Sequence, residues 1–252
     1  MKKILQISDI HIGPSEEPAR GIDVRANFLN CLREGLSHEP NALIITGDLC
    51  LQEGNPETYR WIREQIEAAG IRWYVIPGNH DDSPMMSRAF SLEEHFHPEE
   101  SELYQTLEWE QRPVFLLDTA RGDLSGVQRK WLEGELQRIP SSIEPLIFMH
   151  HPPMPLSVPY MDELDIPSPD TRQFLETIRK CPAEVHVFAG HYHVDKNLRA
   201  DHLTVWTCPS TYYQMSQKAD QFGIGDTRPG YRIIEIHPDR LFVGSHYATN
   251  WR

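Results

Sequence analysis

Five short apolar runs in this chain each end in a residue able to hold a metal or move a proton. Ile4 to Ile7 leads into Asp9-x-His11, Ala42 to Thr46 into Gly47-Asp48, and Trp73 to Ile76 into Gly78-Asn79-His80-Asp81. Leu146 to Met149 leads into His150-His151-Pro152-Pro153, and Val185 to Ala189 into Gly190-His191-x-His193. The runs are continuous rather than alternating, as in strands buried on both faces. Between them lie stretches of helical spacing: Phe28, Leu29, Leu32 and Leu36; Tyr59, Ile62 and Ile66; Val127, Trp131, Leu132, Leu136 and Ile139; Phe174, Leu175 and Ile178. A sixth run covers Val114 to Leu117. Strand alternating with helix predicts βαβ units, and hence a largely parallel sheet. The carboxyl ends of such strands share one edge, the usual place for a ligand, so residues distant in sequence converge there.

The chain of 252 residues is expected to form one elaborated domain over 1–252, with no Gly/Ser linker to mark a boundary. After residue 200 the texture changes. Leu203 to Trp206, Tyr231 to Ile236 and Leu241 to Tyr247 read as strands without helices between them, and His237-Pro238-Asp239-Arg240 reads as a hairpin turn. This β-rich end is expected to be antiparallel and to form a second sheet packed on the first. Residues 82–104, 152–170 and 212–230 follow neither pattern and read as long loops.

A formal charge of -13 opposes sequence-independent binding to long nucleic acid or to anionic membrane. No run approaches the length of a membrane span, and Met1-Lys2-Lys3-Ile4-Leu5-Gln6-Ile7-Ser8-Asp9 lacks a signal-peptide apolar core, so a cytoplasmic protein is expected. The four cysteines, Cys31, Cys50, Cys181 and Cys208, are scattered, which fits neither a disulfide framework nor a thiolate zinc site. Thirteen histidines together with aspartates point instead to nitrogen and oxygen ligation.

Each strand end is weak evidence alone. Gly47-Asp48 is an ordinary turn, Asn79-His80 could be one, and His150-His151 could be a strand end with one ring buried and one exposed. His191-x-His193 at strand alternation puts both rings on one side. Together, Asp9, His11, Asp48, Asn79, His150, His191 and His193 are too many for one tetrahedral ion and suit two ions sharing a bridging carboxylate.

In this order the motifs closely resemble those of the calcineurin-like metallophosphoesterases. Leu117-Asp118-Thr119 with Gln128-x-x-Trp131-Leu132, Pro209-Ser210-Thr211 and Pro229-Gly230-Tyr231-Arg232 look like the branch holding class III cyclic nucleotide phosphodiesterases and glycerophosphodiesterases. The resemblance implies an α/β fold, a four-layer α/β/β/α sandwich of two mixed β-sheets flanked by helices. It implies that Asp9, His11, Asp48 and His193 hold one metal and Asp48, Asn79, His150 and His191 the other, with a metal-bridging hydroxide as nucleophile. His80 is then the catalytic residue, serving the leaving oxygen, and His80→Ala is expected to keep metal and lose turnover. The cofactors implied are two divalent ions among Mn, Fe and Zn, with Mn or an Fe-containing pair expected.

The choice of His150 over His151 rests on that resemblance, with His151 left as a supporting or substrate-contacting residue. Phosphoprotein phosphatases of the superfamily carry a carboxylate where this chain has Leu51, which argues against a phosphoprotein substrate and leaves adjacent Asp81 as a candidate to position His80. Arg88, His95, His97, Tyr160, Tyr212 and Tyr213, in the irregular segments, are conceivable substrate contacts. The expected partner is a small phosphate ester, a cyclic nucleotide or glycerophosphodiester. The alternatives are phosphomonoester hydrolysis, lipid-linked pyrophosphate hydrolysis, for which Met85, Met86 and Phe90 hint at an apolar patch, and a phosphate-binding scaffold without turnover. The resemblance also allows a homodimer.

Overall fold

The structure, a computed structural model, describes residues 1–14, 17–109, 112–164 and 169–249. In chain order the elements are β1 (Lys2–Ile7), α1 (Val24–Leu36), β2 (Ala42–Thr46), α2 (Pro56–Ala68), β3 (Arg72–Ile76), α3 (Ser83–Ala89), β4 (Phe96–His97), β5 (Glu102–Leu103), β6 (Gln105–Trp109) and β7 (Arg112–Leu116). There follow α4 (Gly126–Leu136), β8 (Leu146–Phe148), α5 (Pro159–Leu164), α6 (Pro169–Arg179), β9 (Val185–Ala189), β10 (Lys196–Ala200), β11 (Leu203–Thr207), β12 (Gln214–Met215), β13 (Ile224–Asp226), β14 (Gly230–Ile236) and β15 (Leu241–Tyr247). Helix starts follow from local chemistry. Asp23, Asn55, Asp82 and Ser125 each accept a backbone N–H of the first turn of α1, α2, α3 and α4, satisfying donors that the helix itself cannot.

Two sheets are stacked. One runs β15-β14-β1-β2-β3 and the other β10-β11-β9-β8-β7-β6. Within the first, β1, β2 and β3 are parallel; within the second, β7, β8, β9 and β11 are parallel. Both faces of β1 and β2 are apolar, and alternation divides them. Ile4 and Ile44 join Phe148, Phe188 and Ile234 in a core between the sheets, whereas Leu5, Ile7, Leu43 and Ile45 join Phe28, Ile62 and Ile66 in the core that also takes in the helices. The four-layer α/β/β/α arrangement thus follows from continuous apolar runs with two buried faces.

Two sequence expectations are corrected. The strands that carry the site do not share one sheet: β1, β2 and β3 lie in the first, β8 and β9 in the second. The β-rich end is not a sheet of its own. Its β14 pairs antiparallel with β1 and carries β15, while β11 pairs parallel with β9. Strand pairing depends on partners distant in the chain, which local patterning does not reveal. The hairpin at 237–240 is present, with the His237 N–H donating to the Arg240 carbonyl at 3.0 Å. The three irregular segments contain short elements: α3, β4 and β5 in the first, α5 and the start of α6 in the second, β12 and β13 in the third. No helix of the described residues is long and apolar enough to cross a membrane.

Candidate metal centre

The chain leaves β1, β2 and β9, three of the five site-bearing strands, through backbone that L-residues seldom adopt. Asp9, His11, Asp48, His191 and His193 have φ of 53°, 46°, 51°, 64° and 50°, in the left-handed region where non-glycine residues are uncommon and mark functional strain. Parallel hydrogen bonds hold the first two strand ends together: the Asp9 N–H donates to the Gly47 carbonyl at 3.1 Å and the His11 N–H to that of Asp48 at 3.0 Å. The end of β9 crosses to them. The His191 N–H donates to the Asp9 carboxylate, and Gly190 permits the approach, because a Cβ there would strike Ser8 Oγ and come within 2.8 Å of Asp9 Oδ2. Ser210, within the Pro209-Ser210-Thr211 motif, donates its hydroxyl to the Asp9 carbonyl at 2.8 Å.

Two adjoining groups result. In the first, the ligand-type atoms of Asp9, His11, Asp48 and His193 all lie within 4.8 Å of one another; His11 Nε2 is 3.1 Å from His193 Nε2 and 3.6 Å from Asp48 Oδ2. In the second, His150, His151 and His191 converge. His150 Nε2 lies 3.3 Å from Asp48 Oδ1 and 3.2 Å from Asn79 Oδ1. The two oxygens of Asp48 therefore face different groups. His191 and His193 do not share one spot, as strand alternation predicts. The left-handed backbone turns one ring toward each group.

Several rings are fixed from behind. The Nδ1 of His150 is 2.8 Å from the Thr46 carbonyl, that of His193 3.1 Å from the Tyr213 carbonyl, and that of His80 3.0 Å from the Gln52 carbonyl. Donation from Nδ1–H leaves each Nε2 directed toward the site, the arrangement in which histidines bind metals. His151 differs: its Nδ1 lies 3.1 Å from the Thr119 hydroxyl, which also accepts the N–H groups of His150 and His151 at 3.2 Å each. Thr119 belongs to the Leu117-Asp118-Thr119 motif, but its support of both histidines was not visible in the sequence.

Asp81 does not hold His80. Its carboxylate accepts from the N–H groups of Gly78, Leu49 and Cys50 and from the Tyr59 hydroxyl at 2.9 to 3.2 Å, tying the turn after β3 to that after β2. His80 is held by a backbone carbonyl instead, so no side-chain motif could announce it.

The electrostatics call for positive charge. Burial opposes ionisation of Asp48, yet His150 and His11 beside it hold its carboxyl well below the usual range. Burial likewise drives His11 down to about 3. For His150 burial acts in the same direction, but Asp48 reverses it and raises the ring to about 10. Asp9 and Asp48 are 0% and 2% exposed, and their facing groups are imidazole nitrogens. The His11 and His193 Nε2 atoms, 3.1 Å apart, share a proton in a hydrogen bond when His11 carries it on Nε2, and with both unprotonated there they offer two lone pairs to one cation. The donor set fits divalent cations bound through nitrogen and oxygen.

A cleft of about 520 Å³ opens over both groups, lined by His11, Asp48, Asn79, His80, His191 and His193 and walled by Tyr160, Tyr212, Tyr213, Met215 and Phe222. Of the conceivable substrate contacts, Tyr160, Tyr212 and Tyr213 are here. The other three are elsewhere: His97 stacks on Tyr104 with ring centroids 3.7 Å apart, His95 pairs with Glu94, and Arg88 lines a groove with Arg60 and Arg63. Met86 and Phe90 are core residues, which removes most of the apolar patch considered for a lipid substrate. Arg20 lines the cleft and was missed, since one arginine in a polar loop carries no pattern.

The calcineurin-like phosphoesterase family profile matches residues 2–195. A probable cyclic nucleotide phosphodiesterase of Fibrobacter succinogenes is 32% identical over 233 residues, 92% of this chain and 89% of that one. The glycerophosphodiester phosphodiesterase GpdQ of Enterobacter lignolyticus is 29% identical, over 98% of this chain and 88% of its own. A dimetal phosphatase from Danio rerio, known from its crystal structure, shares the fold with a TM-score of 0.74 at 12% identity, covering 100% of this chain and 98% of that chain. The motifs at the strand ends, the two-sheet architecture and these likenesses agree: the chain belongs to the calcineurin-like phosphoesterase family.

Proposed function

We propose that this protein is a phosphodiesterase that hydrolyses a small phosphodiester, a cyclic nucleotide or glycerophosphodiester, with two divalent metal ions. The observation that carries the reading is Asp48, one oxygen 3.3 Å from His150 and the other 3.6 Å from His11, a carboxylate placed between two groups of donors. Asp9, His11, Asp48 and His193 would hold one ion and Asp48, Asn79, His150 and His191 the other. Mn or an Fe-containing pair is the expected occupant of these donors. Such a pair supplies neutralisation of phosphoryl charge and activation of the attacking water.

The chain's own residues do the rest. The buried carboxylates and backed imidazoles fix the donor geometry in advance, so little reorganisation accompanies the reaction. His80, its Nδ1 held by the Gln52 carbonyl, presents Nε2 to the cleft, where it gives a proton to the leaving oxygen as the bond from phosphorus to that oxygen breaks. His151 supports the second group by packing on His191, with ring centroids 4.3 Å apart. A cytoplasmic location goes with this reading, supported by four cysteines that are all buried and unpaired.

The test is hydrolysis by protein reconstituted with Mn, Fe or Zn, offered an aryl phosphodiester, an aryl phosphomonoester, 3′,5′- and 2′,3′-cyclic nucleotides and glycerophosphodiesters. Turnover of diesters is expected. Turnover of the monoester alone would replace the reading with a phosphomonoesterase, and no turnover of any substrate would overturn it.

A further inference from the structure

Arg20 occupies a place in the cleft that local backbone chemistry does not favour. Ala19 and Ile22 exchange two backbone hydrogen bonds at 3.0 and 2.9 Å, closing a two-residue turn whose central residues, Arg20 and Gly21, have φ of 49° and 78°. Positive φ at both centres is the signature of a type I′ turn, whose first centre is normally Gly, Asn or Asp. An arginine there goes against local preference, and such departures concentrate at functional positions.

The side chain it projects is the one lysine or arginine on the described cleft walls. Its guanidinium lies 5.1 Å from the centroid of the Phe222 ring, and Tyr212 lines the same cleft wall. Phe222 is 41% exposed and is flanked by Tyr160 and Tyr213 at 6.1 and 6.0 Å between centroids.

Three kinds of diester substituent are to be weighed against an aromatic wall beside a phosphate site, and Phe222 and Arg20 together separate them. A quaternary ammonium or amine headgroup would favour the rings alone but is repelled by a guanidinium placed among them. A glycerol unit offers only hydroxyls and gains nothing from an exposed phenyl ring. A nucleobase has a π-face for the ring and for the guanidinium plane, and acceptor atoms for its N–H groups. We propose that Arg20 and Phe222 form a base-selecting wall, so that among small phosphodiesters the protein favours those carrying a nucleoside over glycerophosphodiesters. The inference rests on the phosphodiesterase reading and narrows its substrate class.

The test uses the full chain loaded with Mn and three variants, Arg20→Asn, Arg20→Lys and Phe222→Leu. Asparagine suits the turn, so Arg20→Asn is expected to melt at or above the wild-type temperature, which separates folding from selection. The ratio of kcat/KM for 3′,5′-cyclic AMP to that for glycerophosphoethanolamine is expected to exceed one in the wild type. It should fall about tenfold in Arg20→Asn and in Phe222→Leu, the size of one lost stacking contact, chiefly through KM. An unchanged ratio in both variants, or recovery of the full wild-type ratio by Arg20→Lys, overturns the wall. Calorimetric binding of AMP and of glycerol 3-phosphate by wild type and Arg20→Asn gives a second readout. Should no diester be hydrolysed, the phosphodiesterase reading falls, and an AMP preference that depends on Arg20 decides the wall separately.

Discussion

The backbone N–H of His191 donates to both carboxylate oxygens of Asp9, at 2.9 and 3.2 Å. One residue ends a strand of the first sheet and the other ends a strand of the second, so the orientation of a buried carboxylate is set by how the two sheets stack. Asp9 serves one group of donors, whereas Asp48 faces both. Asp9→Asn is therefore expected to lower bound metal from about two ions per chain to about one, and Asp48→Asn to below one. Elemental analysis after equilibrium dialysis against Mn checks this. Equal stoichiometry in the two variants would contradict a bridging Asp48.

His80 is expected to act on the substrate without holding metal. His80→Ala should keep the wild-type metal content and lose at least about a hundredfold in kcat, the usual scale of a positioned proton donor. Measuring metal and turnover on the same preparation separates the roles. Parallel loss of both would assign His80 to the metal donors.

Thr119 accepts two backbone N–H groups and faces the His151 ring. Valine has the same shape and no acceptor, so Thr119→Val leaves buried donors unpaired. A destabilisation of about 2 kcal/mol is expected, read as a lower midpoint in urea at unchanged slope, together with weaker metal binding. A loss below about 0.5 kcal/mol would show that the hydroxyl is dispensable.

Asp118 gives a pH dependence of definite sign. Burial raises its carboxyl to about 6, against the N–H groups of Ala120 and Leu103 that favour ionisation. A carboxyl with a raised folded pKa binds its proton more tightly in the folded state. Its contribution is full below the unfolded value near 4 and is lost as pH rises through about 6. The stability of wild type relative to Asp118→Asn should therefore decline between about pH 4 and 6, by roughly 1 to 3 kcal/mol, and be flat above. Urea unfolding of both proteins across that range measures it, and a difference independent of pH would remove the assignment.

How much of this was legible in the sequence depended on whether the signal was local. Asp9, His11, Asp48, Asn79, His150, His191 and His193 each follow an apolar run within four residues, so the strand ends marked them as candidates. Thr46, Gln52 and Tyr213 support the histidines through backbone carbonyls, and a carbonyl is present at every residue whatever its side chain. Arg20 reaches the cleft through a turn of the wrong composition for its backbone, and β14 sits beside β1 at a separation of more than two hundred residues. Neither leaves a trace in a window of sequence.

That pairing of β1 with β14 also orders events during synthesis. Lys2 is matched with Ile236 and Gln6 with Arg232, so one edge of the strand that presents Asp9 stays bare until residues 232–236 have been made. The first donor group needs His193 as well as Asp9, and the hydroxyl that holds the Asp9 carbonyl is at Ser210. Contacts of such span form late and slowly. A nascent chain that has reached His150 but not yet His193 and Ser210 therefore lacks part of the first donor group and the hydroxyl that holds its Asp9 backbone.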